Sequence, residues 1–396
     1  MTKLNKWLKG YWKQLLYIAL AVAFVVFLFT FRLNSLTGGV SLIEHNYEMA
    51  TASFNSVINQ PVFLPHKIVT FLFYLLTPSS KLARLPSVLI ALALIGSFYV
   101  LMDRWYTRRI ALMTTLLFAT SSWTLTIARQ ALPTITYLGW LPVLALLYWT
   151  ISKSKHKVTL LLWSFSLGLA IYIPGLLWFV IVLAASQRKR LRSSFSQASK
   201  LQIAVSSLVL MVLLIPFVWS SVHFPSIALQ ALGIPNTLHQ LTNFPRRLVE
   251  VFAQIFIISS QNSVFHLGRL PYLDVASTVL MVIGIYRLRY SSARKMMGWS
   301  GVIIIGWLIG AGLSTVNIAI FLPLIYIFIG GGISFVLLQW FKVFPKNPIA
   351  RTTAVVAMTV LVLLISFYHL TRYFIAWPLN PQTKQAFSSS SVRIYK

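Results

Sequence analysis

Gln14-Leu15-Leu16-Tyr17-Ile18-Ala19-Leu20-Ala21-Val22-Ala23-Phe24-Val25-Val26-Phe27-Leu28-Phe29-Thr30-Phe31 carries no charge. A helix of that length is about as long as the ~30 Å hydrocarbon core of a bilayer is thick. Four lysines lie between Met1 and Lys13, and no small-residue cleavage site follows the run. It therefore reads as a retained anchor entering from the cytoplasm.

The same pattern recurs outward from it. Apolar runs over Pro86–Met102, Ile110–Trp123, Tyr137–Ile151, Val158–Ile173 and Gly175–Ala185 predict further membrane helices. So do Leu201–Trp219, Val275–Tyr286, Trp299–Leu313, Ile318–Trp340 and Thr352–Tyr368, giving about eleven transmembrane helices. Hydrophobic residues make up 58% of the chain and charged residues 10%, against roughly 25% charge in a soluble domain. The expected class is an all-α polytopic membrane protein, not a β-barrel of short alternating segments. Residues 1–378 form its transmembrane domain, and 379–396 a short polar outer tail.

Charge orients these helices. The net charge is +29, and every loop on the cytoplasmic side of this topology is basic. Basic excess in such short loops orients helices and forms no nucleic-acid-binding domain, so nucleic acid is not an expected partner. A multi-pass cell-membrane location follows. There is no cysteine, which excludes disulfides and thiolate chemistry. The scattered histidines show no metal-ligand spacing, and no Gly-rich phosphate loop is present. No cofactor is evident, and metal dependence is left open. Gly330-Gly331-Gly332 lies inside an expected helix and predicts close helix packing.

Only five residues are acidic, and four fall on the outer side. Glu44 and Glu48 follow the first helix in a long outer loop, Arg32 to Arg84, where Ile68–Leu76 is too short to span and reads as juxtamembrane. Spaced four apart, these acids share a helix face and are the candidate catalytic carboxylates. Their alternative is a solvated loop pair, meeting Lys67 or Arg84. Arg84, Arg129 and Lys67 are the candidate lipid-phosphate ligands, since guanidinium and ammonium groups suit phosphate oxygens; snorkelling at the interface is their alternative. His45, His66, Arg246, Arg247, His266 and Arg269 are possible substrate contacts. Asp103, beside Arg104 in an inner loop, reads as a local ion pair.

Several short stretches occur in a telling order: Leu42-Ile43-Glu44, then Gln60-Pro61-Val62 to Pro65-His66, then Arg84-Leu85-Pro86-Ser87. Ser121-Ser122-Trp123, Ala128-Arg129-Gln130-Ala131, Gly168-Leu169-Ala170-Ile171-Tyr172 and Val264 to Asp274 follow. Together they resemble the membrane glycosyltransferases of the C superfamily, such as protein O-mannosyltransferases and lipid A aminoarabinose transferases. That resemblance implies a polyprenyl-phosphate-linked sugar donor, a glycan, lipid or protein acceptor, and an outer-loop carboxylate as general base. Ile43 stands where the family's usual acidic base lies, leaving Glu44 or Glu48 for the role, and Gln130 replaces a family glutamate. The soluble C-terminal domain of some relatives has no counterpart here. A transporter or flippase of a lipid-linked saccharide, or an inactive divergent relative, is the competing expectation.

Overall fold

The structure is a computed structural model and describes residues 16, 19–76, 82–138, 157–186, 196, 198–234, 243–258, 262–290, 298–304 and 315–391. Its described elements are helical. Helix α1 runs Ala19–Thr30. Three short helices then fold the first loop: α2 (Leu42–Thr51), α3 (Phe54–Asn59) and α4 (Leu64–Leu76). At 13 residues α4 is apolar but too short to cross a bilayer, as expected for a juxtamembrane segment.

The chain then enters α5 (Leu85–Trp105), which begins with Pro86 in its first turn, where the missing N–H costs no intrahelical bond. The expected third helix is instead two, α6 (Arg108–Thr120) and α7 (Ser122–Ala128), bent by 62°. Ser121, at ψ 130°, breaks the helical backbone between them. The expected fourth helix is described only as far as Leu138, and Trp299–Leu313 only over 298–304, which is helical.

Next come α8 (Lys157–Ala170), α9 (Leu176–Ser186), α10 (Lys200–His223), α11 (Pro225–Leu232), α12 (Phe244–Phe256) and α13 (Val275–Arg287). A 3₁₀ turn over Thr315–Phe321 leads into α14 (Leu322–Val343), followed by α15 (Pro348–Thr371). That last helix does not stop near Tyr368. It continues through a π turn, Arg372–Ala376, to Leu379. The segment expected as a polar tail then forms α16 (Pro381–Ser391), with Phe387 fully buried. Among the described residues four helices are long and apolar enough to cross a membrane, or five if the bent pair forms one span, against the eleven expected.

Two sequence features explain the packing of this bundle. Gly284 on α13 and Gly332 on α14 let the two backbones touch. A Cβ at Gly284 would lie 1.8 Å from Phe328 O, and one at Gly332 2.0 Å from Leu280 O. The glycine run is therefore a small-residue helix contact. Pro216 lies inside α10. Close to that break the Tyr172 hydroxyl accepts from Phe217 N at 3.2 Å and donates to Leu213 O, partnering polar backbone that a proline frees within apolar surroundings. The Gly168–Tyr172 stretch thus fastens α8 to α10.

Candidate functional site

The first loop is built around Glu44. Ser41 caps α2, its hydroxyl accepting from Glu44 N at 3.3 Å, while Glu44 Oε2 accepts from Ser41 N at 2.9 Å. This reciprocal capping box fixes the carboxylate at the helix start. Arg84, arriving from the start of α5, then donates from Nε to Glu44 Oε1 and from Nη2 to Oε2, both at 2.9 Å. Ala131 N also donates to Oε1, at 2.8 Å, and the Ser41 hydroxyl to Oε2, at 3.1 Å. Glu44 is 0% exposed and Arg84 4%. Every acceptor direction of the carboxylate is engaged by a protein donor.

The arginines are engaged too, except that Arg129 Nε is buried with no hydrogen-bond partner among the described residues. Arg84 Nη1 donates to Leu33 O at 2.8 Å and Nη2 to Gly39 O at 2.9 Å. Gly38, at φ +78°, makes the turn preceding that carbonyl, a backbone state glycine adopts freely. Arg129 donates to Leu28 O and Phe31 O, terminal carbonyls of α1, at 2.6 and 2.5 Å. Its guanidinium lies over Phe374 and Tyr373, 4.9 and 5.3 Å from the ring centres. Phe387 of α16 lies 5.9 Å from the Arg84 guanidinium carbon. Glu44, Arg84 and Arg129 therefore form a buried clamp joining α1, the first loop, the end of α7 and the C-terminal helices. Of the three expected phosphate ligands the structure brings Arg84 and Arg129 to this clamp, their hydrogen bonds going to Glu44 and backbone, while Lys67 bonds Gln60 O instead.

Glu48 is placed differently. One turn beyond Glu44, it is half-buried and lines a small cleft with Thr51, Thr70, Phe73, Tyr74, Leu82, Ala83 and Pro86. Burial lifts its carboxyl above the usual range; His45 opposes the shift and Glu44 adds to it. Lys67 is 6% exposed and donates one hydrogen bond, to Gln60 O at 2.5 Å. Burial lowers its ammonium to about 8. His66 is fully buried between Tyr47 Oη and Ser87 Oγ, each 2.9 Å from a ring nitrogen. Burial, with Lys67 next to it, drops its pKa to about 3, so it stays neutral and braces α4 against α2 and α5.

The proline stretch is held from the other side. Phe63 adopts φ +62°, uncommon for a bulky residue. Its N–H donates to Tyr172 O at 2.6 Å and its ring meets Tyr137 edge-on at 5.7 Å.

The remaining candidates lie elsewhere. Arg246 pairs with Glu250 at 2.9 Å on the surface of α12, 81% and 45% exposed, and Arg247 sits beside it, half-buried. Arg269 is exposed, and His45 lies half-buried on α2. His266 is 4% exposed and faces a second small cleft, also lined by Ser122, Trp123, Arg372, Tyr373 and Trp377. Sequence reasoning gave no chemical role to Ser122, Asp274 or His369, which meet beside that cleft. No group of three potential metal ligands occurs among the described residues.

No protein-family model matches the sequence, and no curated protein does. A solved structure does match: the crystal structure of ArnT from Cupriavidus metallidurans bound to undecaprenyl phosphate. The TM-score is 0.54 at 16% identity, over 95% of this chain and 77% of that one. This chain shares the ArnT fold.

Proposed function

We propose that the protein is an integral-membrane glycosyltransferase that moves a sugar from a polyprenyl-phosphate carrier to an acceptor hydroxyl, with Glu48 as the general base. Two lines of support converge on the carrier: the motif resemblance to glycosyltransferases of the C superfamily, and the fold shared with ArnT, whose crystal structure holds undecaprenyl phosphate. The base assignment rests on one observation. Of the five acids, Glu44 is held by Arg84, Glu250 by Arg246 and Asp274 by His369, while Asp103 lies at the far end of α5. Glu48 lines a cleft in the first loop.

In the proposed reaction the Glu48 carboxylate takes the acceptor hydroxyl proton as the oxygen attacks the anomeric carbon. The bond from that carbon to the carrier oxygen breaks, and the lipid phosphate leaves with the electron pair. A carboxyl raised by burial is a stronger base than an exposed one, closer to the operating pH. The departing phosphate needs positive charge that strengthens in the transition state. Lys67 is the cation proposed for it, because only one of its three N–H donors has a partner among the described residues. Arg84 and Arg129 take a positioning role: they fix the loop that carries Glu48.

The test is turnover by purified protein in lipid vesicles with a radiolabelled polyprenyl-phosphate sugar. Sugar appearing on an acceptor, with free polyprenyl phosphate, is the expected outcome. Carrier crossing the bilayer unchanged would favour a flippase instead. A specific observation favours a third outcome, binding without turnover: Ile43, where relatives hold their usual base, is 42% exposed at the start of α2.

A further inference from the structure

Three residues distant in sequence meet beside the second cleft. Ser122 opens α7 just past the 62° bend, Asp274 caps the start of α13, and His369 lies in the last turn of α15. Asp274 Oδ1 accepts from Ser277 N at 2.8 Å, which leaves Oδ2 to meet His369 Nε2 at 2.9 Å. His369 Nδ1 in turn lies 3.2 Å from Ser122 Oγ. Burial pushes the Asp274 carboxyl up, but hydrogen bonds from His369 and Ser277 outweigh it and keep the group below its usual range. A carboxylate only accepts, so Nε2 carries the imidazole hydrogen and Nδ1 presents its lone pair to the Ser122 hydroxyl. The two ring nitrogens are exchanged relative to the Ser-His-Asp triad, where Nε2 faces the serine, but the relay is the same: a carboxylate holds the N–H on one side and a lone pair faces the hydroxyl on the other.

The cleft in front of Ser122 has the other half of such a centre. Trp123, Phe265, Leu267 and Trp377 form apolar walls. His266 joins them, and neither of its ring nitrogens has a hydrogen-bond partner among the described residues. Burial, with Arg372 nearby, holds it neutral; its ring packs edge-on with Tyr272 at 3.6 Å, and one ring nitrogen carries a hydrogen with no hydrogen-bond acceptor among the described residues. A network that merely tied three helices together would not need a serine on a cleft wall facing an unpartnered imidazole.

We infer that this cleft is a second reaction centre, in which Ser122 attacks the ester carbonyl of an acyl lipid. The Ser122 oxygen bonds to the carbonyl carbon while its proton passes to His369 Nδ1, and Asp274 stabilises the imidazolium. The carbonyl electrons move onto oxygen, facing the His266 N–H. When they return, the bond to the alkoxy group breaks and that oxygen takes the proton from His369. Water, deprotonated by the same imidazole, then releases the carboxylic acid and restores Ser122. The apolar walls suit an acyl chain, and water is the one co-reactant the ester needs.

The test is covalent labelling of the full-length protein in lipid by an alkyl fluorophosphonate, located by peptide mass spectrometry. Ser122 is expected to carry the label, and Ser122→Ala to remove it. Both His369→Asn and Asp274→Asn are expected to slow labelling by about 10²-fold or more, the usual effect of losing a positioned base. No label on Ser122 in protein that melts like the wild type overturns the inference. Labelling at the wild-type rate in folded His369→Asn or Asp274→Asn protein overturns it too, because the serine would then need no base. Labelling reads no sugar transfer, so its failure is distinct from failure of the transferase function.

Discussion

Replacing Glu44 should unfold the first loop rather than merely stop chemistry. In Glu44→Ala protein, Arg84 would keep Leu33 O and Gly39 O but lose both carboxylate bonds while 4% exposed. Breaking one side of a buried ion pair costs about 3–5 kcal/mol. The Ser41 and Ala131 N–H groups lose their acceptor as well, so the upper part of that range is expected. Glu44→Gln keeps the shape, but its amide must turn hydrogens either toward Arg84 Nη2 and Ser41 N or toward Arg84 Nε and Ala131 N. An unmatched buried group of this kind costs about 1–3 kcal/mol, more next to a charge. Thermal unfolding of the purified protein reads these losses, with Glu48→Gln expected within about 0.5 kcal/mol of wild type. Combining Glu44→Gln with Arg84→Met should cost less than the sum of the two by about 1–3 kcal/mol. Glu44→Gln protein that melts like wild type yet transfers no sugar would refute the clamp and make Glu44 the base.

Four other outcomes follow from the packing and the charges. Gly284→Ala would place a methyl 1.8 Å from Phe328 O and should destabilise by at least ~1–3 kcal/mol. Gly96→Ala on α5, with nothing within 4 Å, should instead stabilise by about 0.5–1 kcal/mol in the same melt. Phe387→Ala should cost about 3–5 kcal/mol because the ring is fully buried against Trp377; a solvated tail would show no change. Lys67→Met should raise the melting temperature near neutral pH. The folded state lowers this ammonium from 10.5 to about 8, so it favours the neutral form and gains stability from it that is full above 10.5 and lost as pH falls through 8. The advantage of the methionine variant should therefore be largest below pH 8 and shrink toward pH 10.5.

The all-helical class could be read from charge-free runs such as Pro86–Met102, because a spanning chain must satisfy its backbone internally. The bend at Ser121 could not, since apolar composition continues straight through it. Helix α16 was missed because Pro381–Ser391 is polar, and its packing rests on one ring, Phe387. At the site, proximity was legible and role was not. Leu42-Ile43-Glu44 and Arg84 were both singled out, yet which atoms face which is a tertiary fact. One local signal did exist: Ser41 three residues before Glu44 is a capping-box spacing, which turns that carboxylate toward its own helix start and leaves Glu48 for the cleft. For Ser122, Asp274 and His369, separated by 95 to 247 residues along the chain, no sequence pattern announces the meeting.

The central claim is that Glu48 is the base of a sugar transfer from a polyprenyl phosphate. Steady-state transfer kinetics of wild-type and Glu48→Gln protein in lipid vesicles test it most directly. A kcat lower by about 10²–10⁴ in a variant that binds carrier and melts like wild type is predicted, together with a wild-type rate that falls as pH drops through a value above the usual carboxylate range. Undiminished kcat in Glu48→Gln protein would contradict it.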